Sequence, residues 1–118
     1  MYYQNLPLYL KLIVLLKQLY QITHQLPKEY KFSLGQDLVN KNWKLIDLFI
    51  EAQTCPENKI QTIAALSRDF DRLKVRIRFL SELKLISLGQ TAALNSETNE
   101  IGKMIGNWLK VGGRSPAS

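Results

Sequence analysis

Ile63, Leu66, Phe70, Leu73, Ile77 and Leu80 recur in steps of three and four residues. That spacing lines one face of an α-helix and excludes the strict alternation of a half-buried strand. Three other stripes obey the same rule. One runs through Leu8, Leu12, Leu15, Leu19, Ile22 and Leu26, flanked by Tyr9, Ile13, Leu16 and Tyr20. Another joins Leu38, Leu45, Phe49 and Ala52, widened by Val39, Ile46 and Ile50. The last carries Ala92, Leu94, Thr98, Ile101, Ile105 and Trp108. The chain is therefore expected to be all-α, with four amphipathic helices around one core, since 118 residues are too few for two. Short connections favour an antiparallel up-down-up-down four-helix bundle over residues 1–110, with 111–118 as a flexible end rich in Gly and Pro.

Local signals place the helix ends. Pro27 disfavours helical geometry in the residue before it, so the first helix stops there. The tetrapeptide Ser-Leu-Gly-Gln occurs twice, at Ser33–Gln36 and Ser87–Gln90. A serine followed three residues later by glutamine fits a capping box, in which each side chain satisfies the other residue's free amide. The tetrapeptides are thus expected to open the second and fourth helices. Because the sequences diverge beyond them, they mark no internal duplication. Pro56 and Glu57 suit the first turn of the third helix, where proline gives up an amide that has no partner and the acid meets the positive end of the dipole.

Charge narrows the partners. Sixteen Lys and Arg against ten Asp and Glu give a net charge of +6, which suits a polyanion or an acidic protein face. The lone Cys55 excludes an intramolecular disulfide and any CxxC metal site, in keeping with a reducing, cytoplasmic setting. Lys11 and Lys17 interrupt the apolar run near the N-terminus well short of the roughly 20 residues of a membrane span, and the run lacks the flanks of a signal peptide. No catalytic residue, metal ligand or cofactor is expected. His24 has no acidic partner at fixed spacing, and Cys55, although placed near a helix start that can lower a thiol pKa, has no histidine close in sequence to act as its base. Asp69, Asp71, Glu97 and Glu100 read as surface partners of basic residues. Gly112-Gly113 lacks the strand-loop-helix context of a phosphate loop.

The third helix carries a second pattern. Val75, Phe79 and Ile86 fall nearly opposite its core seam, with Leu83 nearby, and a helix in an isolated bundle has no internal use for bulky apolar groups there. Arg68, Arg72 and Arg76 follow at intervals of four on or beside this face, and Lys74 and Arg78 form another such pair along its flank. Val75 and Phe79 are read as a subunit or partner contact, bordered by the five basic groups. Arginine and lysine on a rigid helix can contact phosphates with little regard to sequence, and Tyr2, Tyr3 and Tyr30 can either stack on bases or pack as ordinary amphipathic residues. In the fourth helix, Gly102 and Gly106 allow close approach of a neighbouring backbone or ring, with Trp43 and Trp108 as candidates for the ring.

The segments NLPLY, LPKEYKFSLGQDL, RLKVRIRFLSEL and EIGKMIGNWLK occur in an order and spacing that resembles the accessory variability determinant (Avd) proteins of diversity-generating retroelements. The resemblance spans residues 5–110. It lies within a wider four-helix family that includes the products of 23S rRNA intervening sequences. Those relatives open helix two with Ser-Gln and carry an Arg-Arg-Ala run where this chain reads SLGQDLVNKNW, which favours the retroelement subgroup.

The resemblance implies a bundle assembled as a homopentameric barrel and no catalysis. It also implies association with the retroelement reverse transcriptase and with RNA or DNA, in support of copying a template RNA into mutagenised cDNA. The basic helix-three pattern of that family matches at Lys74 and Arg78. Lys74 stands where an arginine occurs in a relative, so charge is kept and planar bidentate binding is not. The alternative is a structural oligomer of the intervening-sequence type, with no reverse transcriptase partner.

Overall fold

The computed structural model describes residues 3–114. Four long helices make up the fold: α1 (Pro7–Gln25), α2 (Gln36–Thr54), α3 (Lys59–Glu82) and α4 (Leu88–Lys110), with no strand among the described residues. Neighbours in sequence are neighbours in space, and α4 returns to α1, which leaves α1 and α3 on one diagonal of the bundle and α2 and α4 on the other. Paired contacts run in opposite directions along each seam. Leu12 meets Asn42 and Thr23 meets Gly35 across α1 and the segment that leads into α2. Asp37 meets Arg76 and Glu51 meets Thr62 across α2 and α3. Each adjacent pair is thus antiparallel, and the elongated body measures 42 × 23 × 23 Å.

The expected stripes form the core almost without exception. Leu8, Leu12, Leu15, Leu19, Leu38, Leu45, Phe49, Ile63, Leu66 and Leu73 are fully enclosed, and Phe49 stacks obliquely on Trp108 with ring centroids 5.5 Å apart. Ala92, by contrast, is exposed. Asn42 is a buried polar group within this apolar layer, and its Nδ2 donates to the Leu12 carbonyl at 3.1 Å. Pairing Nδ2 with a helix carbonyl offsets part of the cost of burial and ties α2 to α1, while the buried Oδ1 has no hydrogen-bond partner among the described residues.

Three helix boundaries differ from expectation. α2 is entered from a helical turn at Lys28–Tyr30 and a π-helical segment at Lys31–Gly35, so the chain is helical from Lys28 onward. The amide of Gln36 already donates to the carbonyls of Lys31 and Ser33, and the Ser33 hydroxyl donates to the Glu29 carbonyl at 3.0 Å. No capping box forms at Ser33. Only Ser87 caps as expected: it is extended, accepts from the Gln90 amide at 3.1 Å, and its own amide donates to Gln90 Oε1 at 2.9 Å.

Pro56 and Glu57 lie before α3, not in its first turn. Asn58 takes a left-handed conformation (φ 63°) there and the helix starts at Lys59. Asparagine tolerates that region better than most residues, which lets a four-residue link reverse the chain.

At its far end α3 stops at Glu82, with Lys84 left-handed (φ 57°), so Ile86 is off the helix and packs half-buried against the core instead of extending the outward apolar face. α4 ends as Gly112 and Gly113 both take positive φ and the Gly113 amide donates to the Trp108 carbonyl at 2.9 Å. Gly113 is buried beside Ile63, and the rest of the expected flexible end, residues 115–118, lies outside the described residues.

Candidate nucleic-acid interface

Helical phase separates the five basic residues singled out on α3. At 100° per residue Arg68 and Arg72 lie within about 60° of Val75, while Arg76 and Lys74 each turn about 100° away, in opposite directions. Arg76 therefore faces α2, and Lys74 faces α4. Val75 is 62 % exposed and Phe79 46 %, so the outward ridge of α3 combines two apolar side chains with the exposed Arg68 and Arg72. Leu83 continues the ridge just beyond the helix end.

On the α2 side, two carboxylates each collect two cations. Asp37 pairs with Lys41 at 3.0 Å and accepts from Arg76 Nε at 3.0 Å. Asp69 pairs with Arg72 at 3.3 Å and with Lys44 at 3.4 Å. Lys41, Lys44, Asp69, Arg72 and Arg76 line one cleft of about 330 Å³. Exposed ion pairs of this kind add about 0–1 kcal/mol each, so their main effect is to fix where the cations stand.

On the α4 side, Lys74 lies 3.3 Å from Asp71 and 5.2 Å from the Phe70 ring centre. It shares an open groove with Lys103, Thr98, Gly102 and Gly106. Arg78 sits one turn further along in a separate crevice with Ser81, Ile86, Thr91 and Asn95. Neither Arg68 nor Arg78 has a carboxylate within ion-pair distance among the described residues. The acids Glu97 and Glu100 turn the other way, toward α1, where both pair with Lys11. Hydrogen bonding to Glu100, and next to Glu97, holds the Lys11 ammonium above the usual lysine pKa, and the same bond from Lys11 holds Glu100 below the usual carboxylate value.

The expected five residues thus form two arrays and a ridge, not one patch. Sequence spacing passed over Lys41, Lys44 and Lys103, because their proximity to the α3 cations arises across helix seams. The Asp37–Lys41 pair, four residues apart in one helix, was the one local signal.

The glycines of α4 also behave differently from expectation. Phe70 is the ring nearest Gly102, 3.5 Å from where a Cβ would stand, and nothing lies within 4 Å at Gly106. Trp108 is in the core, and Trp43 is on the α1–α2 surface with its Nε1 donating to Tyr20 Oη at 3.0 Å. Tyr3 packs edge-on against Tyr9 and Tyr30 is half-buried against the core, whereas Tyr2 lies outside the described residues. His24 and Cys55 are exposed, and among the described residues no group of three or more His, Cys, Asp or Glu could hold a metal ion. No helix of the described residues is long and apolar enough to cross a membrane.

No curated protein and no solved structure is significantly similar to the chain. The profile of the family described as bAvd-like matches residues 8–111, which takes in all four helices but for the first residue of α1. The arrangement of core stripes and α3 cations just described falls inside that span, and the chain belongs to the bAvd-like family.

Proposed function

We propose that this protein is a non-catalytic accessory protein of a diversity-generating retroelement, a basic scaffold that binds the reverse transcriptase and the template RNA or its cDNA. The observation that carries the reading is the family match over residues 8–111 in a chain of net charge +6. Lys74 and Arg78 on the α4 flank, with Arg68, Arg72 and Arg76, supply the charge for phosphate or partner contact. Such binding is expected to weaken steeply with salt and to depend little on sequence.

Assembly as a homopentamer belongs to the same proposal. A closed ring of identical chains needs two different complementary patches on each subunit. Val75 and Phe79 on α3 are exposed, and so are Leu10 (51 %) and Val14 (42 %) on α1, at the opposite corner of the bundle. A ring in which one subunit's α3 ridge meets the next subunit's α1 would use both. These patches also favour a second reading, a structural oligomer whose charge serves only solubility.

Light scattering with and without a short single-stranded RNA, at low and high salt, tests both. A mass near five chains of 13.6 kDa with salt-sensitive RNA association supports the scaffold; an oligomer indifferent to RNA supports the second reading, and a monomer without RNA affinity defeats both. Lys74→Ala with Arg78→Ala is expected to weaken RNA or reverse transcriptase binding while the helical circular dichroism persists. Binding unchanged across a salt titration removes those two residues from the interface.

A further inference from the structure

We infer that the cleft between α2 and α3 is a phosphodiester-binding subsite, in which Lys41 and Lys44 act with Arg72 and Arg76 on the backbone of a nucleic-acid strand. The inference rests on the nucleic-acid reading above and gives it a location away from Lys74 and Arg78. Four cations and two carboxylates meet there, so the cleft keeps a formal surplus of two positive charges.

The charges are also layered. The Asp69 side chain is 18 % exposed, whereas those of Lys44 and Arg72, which pair with it, are 66 % and 67 % exposed. At this end the acid lies beneath and the cations reach outward, so positive charge faces solvent; at the other end Asp37 is 42 % exposed, level with Lys41 (34 %) and Arg76 (38 %). Arg72 spends one terminal nitrogen on Asp69, which leaves its remaining N–H donors for a phosphate. Arg76 is fixed twice, through Nε to Asp37 and through Nη1 to the Arg72 carbonyl at 3.1 Å. Arg76 is thus placed before any ligand arrives, and less of its side-chain freedom is lost on binding.

Spacing agrees with a strand as ligand. Arg72 and Arg76 are separated by about 6 Å of helix rise, and Lys41 and Lys44 by about 4.5 Å, so the cleft offers two successive levels of donors. A single small anion would use one level. A strand laid along the seam uses both.

The test is fluorescence anisotropy of a short labelled oligouridylate, and of a DNA strand of equal length, with the full chain. Lys41→Ala with Lys44→Ala is expected to lower affinity about tenfold at low salt and to flatten the salt dependence by about 0.7 in log–log slope for each phosphate no longer neutralised. Lys17→Ala with Lys28→Ala removes equal charge from exposed positions outside the cleft and is expected to cost much less. Asp69→Asn keeps the shape but deletes a competing negative charge, and is expected to raise affinity several-fold.

Equal losses in the two lysine pairs, or no gain from Asp69→Asn, overturn the cleft while leaving the nucleic-acid reading in place. A wild-type chain that binds neither strand overturns both. If the lysine variant fails to fold, the Asp69→Asn result decides.

Discussion

Ser87 accepts a hydrogen bond from the amide three residues ahead and anchors α4, whereas Ser33, in an identical tetrapeptide, donates back to a carbonyl four residues behind it. The difference lies in what precedes each serine. Ser87 follows a chain reversal at Lys84 and has the extended backbone (ψ 166°) that a cap requires. Ser33 is reached by a helix already under way from Lys28, so the amide it would have capped is bonded to Lys31. Capping is thus a property of where a helix begins, and four residues do not determine that. Their glycines differ as much: Gly35 is buried against Thr23 and Leu26, and Gly89 is exposed.

Substitutions in the two copies should therefore give unequal effects. Gly35→Ala is expected to be the most damaging, because its Cβ would stand 2.6 Å from Thr23 Cγ2 and 3.2 Å from Leu26 Cδ1. The stiff threonine cannot swing away, and a loss of about 1–3 kcal/mol in urea unfolding is predicted. Ser87→Ala comes next, at about 1 kcal/mol, since it removes one half of a working capping box. A loss at Ser33→Ala as large as that at Ser87→Ala would mean that both serines cap.

Gly89→Ala should act in the opposite direction to Gly35→Ala. Its Cβ would meet only Ser87 Oγ at 3.8 Å, an ordinary contact, and the gain in helix propensity is about 0.5 kcal/mol. A destabilised Gly89→Ala variant would contradict the open surroundings of that turn. Ser33→Ala closes the series with a change of no more than about 0.5 kcal/mol either way, as its hydroxyl's contacts with the Glu29 and Tyr30 carbonyls are both solvent-exposed.

What could be read beforehand follows the same division between local and distant causes. Leu8 through Leu26 and Ile63 through Leu80 announced their faces because spacing alone sets which side chains share a helix face, and all those positions are buried. The π-helical entrance to α2 was harder to see. Its one trace is that Tyr30, Leu34 and Leu38, all on the core side, are spaced by four and four, where an α-helix would drift out of phase.

The outward ridge at Val75 and Phe79 was legible from phase. The cleft was not, since Lys41 and Lys44 acquire meaning only when antiparallel packing brings Asp69 and Arg76 across from them. Gly102 and Gly106 suggested a tryptophan neighbour, yet both tryptophans are committed elsewhere, one to Phe49 and one to Tyr20.

That placement of the tryptophans equips the chain with two built-in optical reporters. Trp108, 1 % exposed at the centre of the core, emits from an apolar cage that survives only while the helices stay packed. Trp43, 42 % exposed and adjacent in sequence to Lys44, emits from the solvent side of α2. A soluble quencher reaches the second and not the first, so one emission spectrum can follow folding and events on the α2 surface in separate channels, without an added dye.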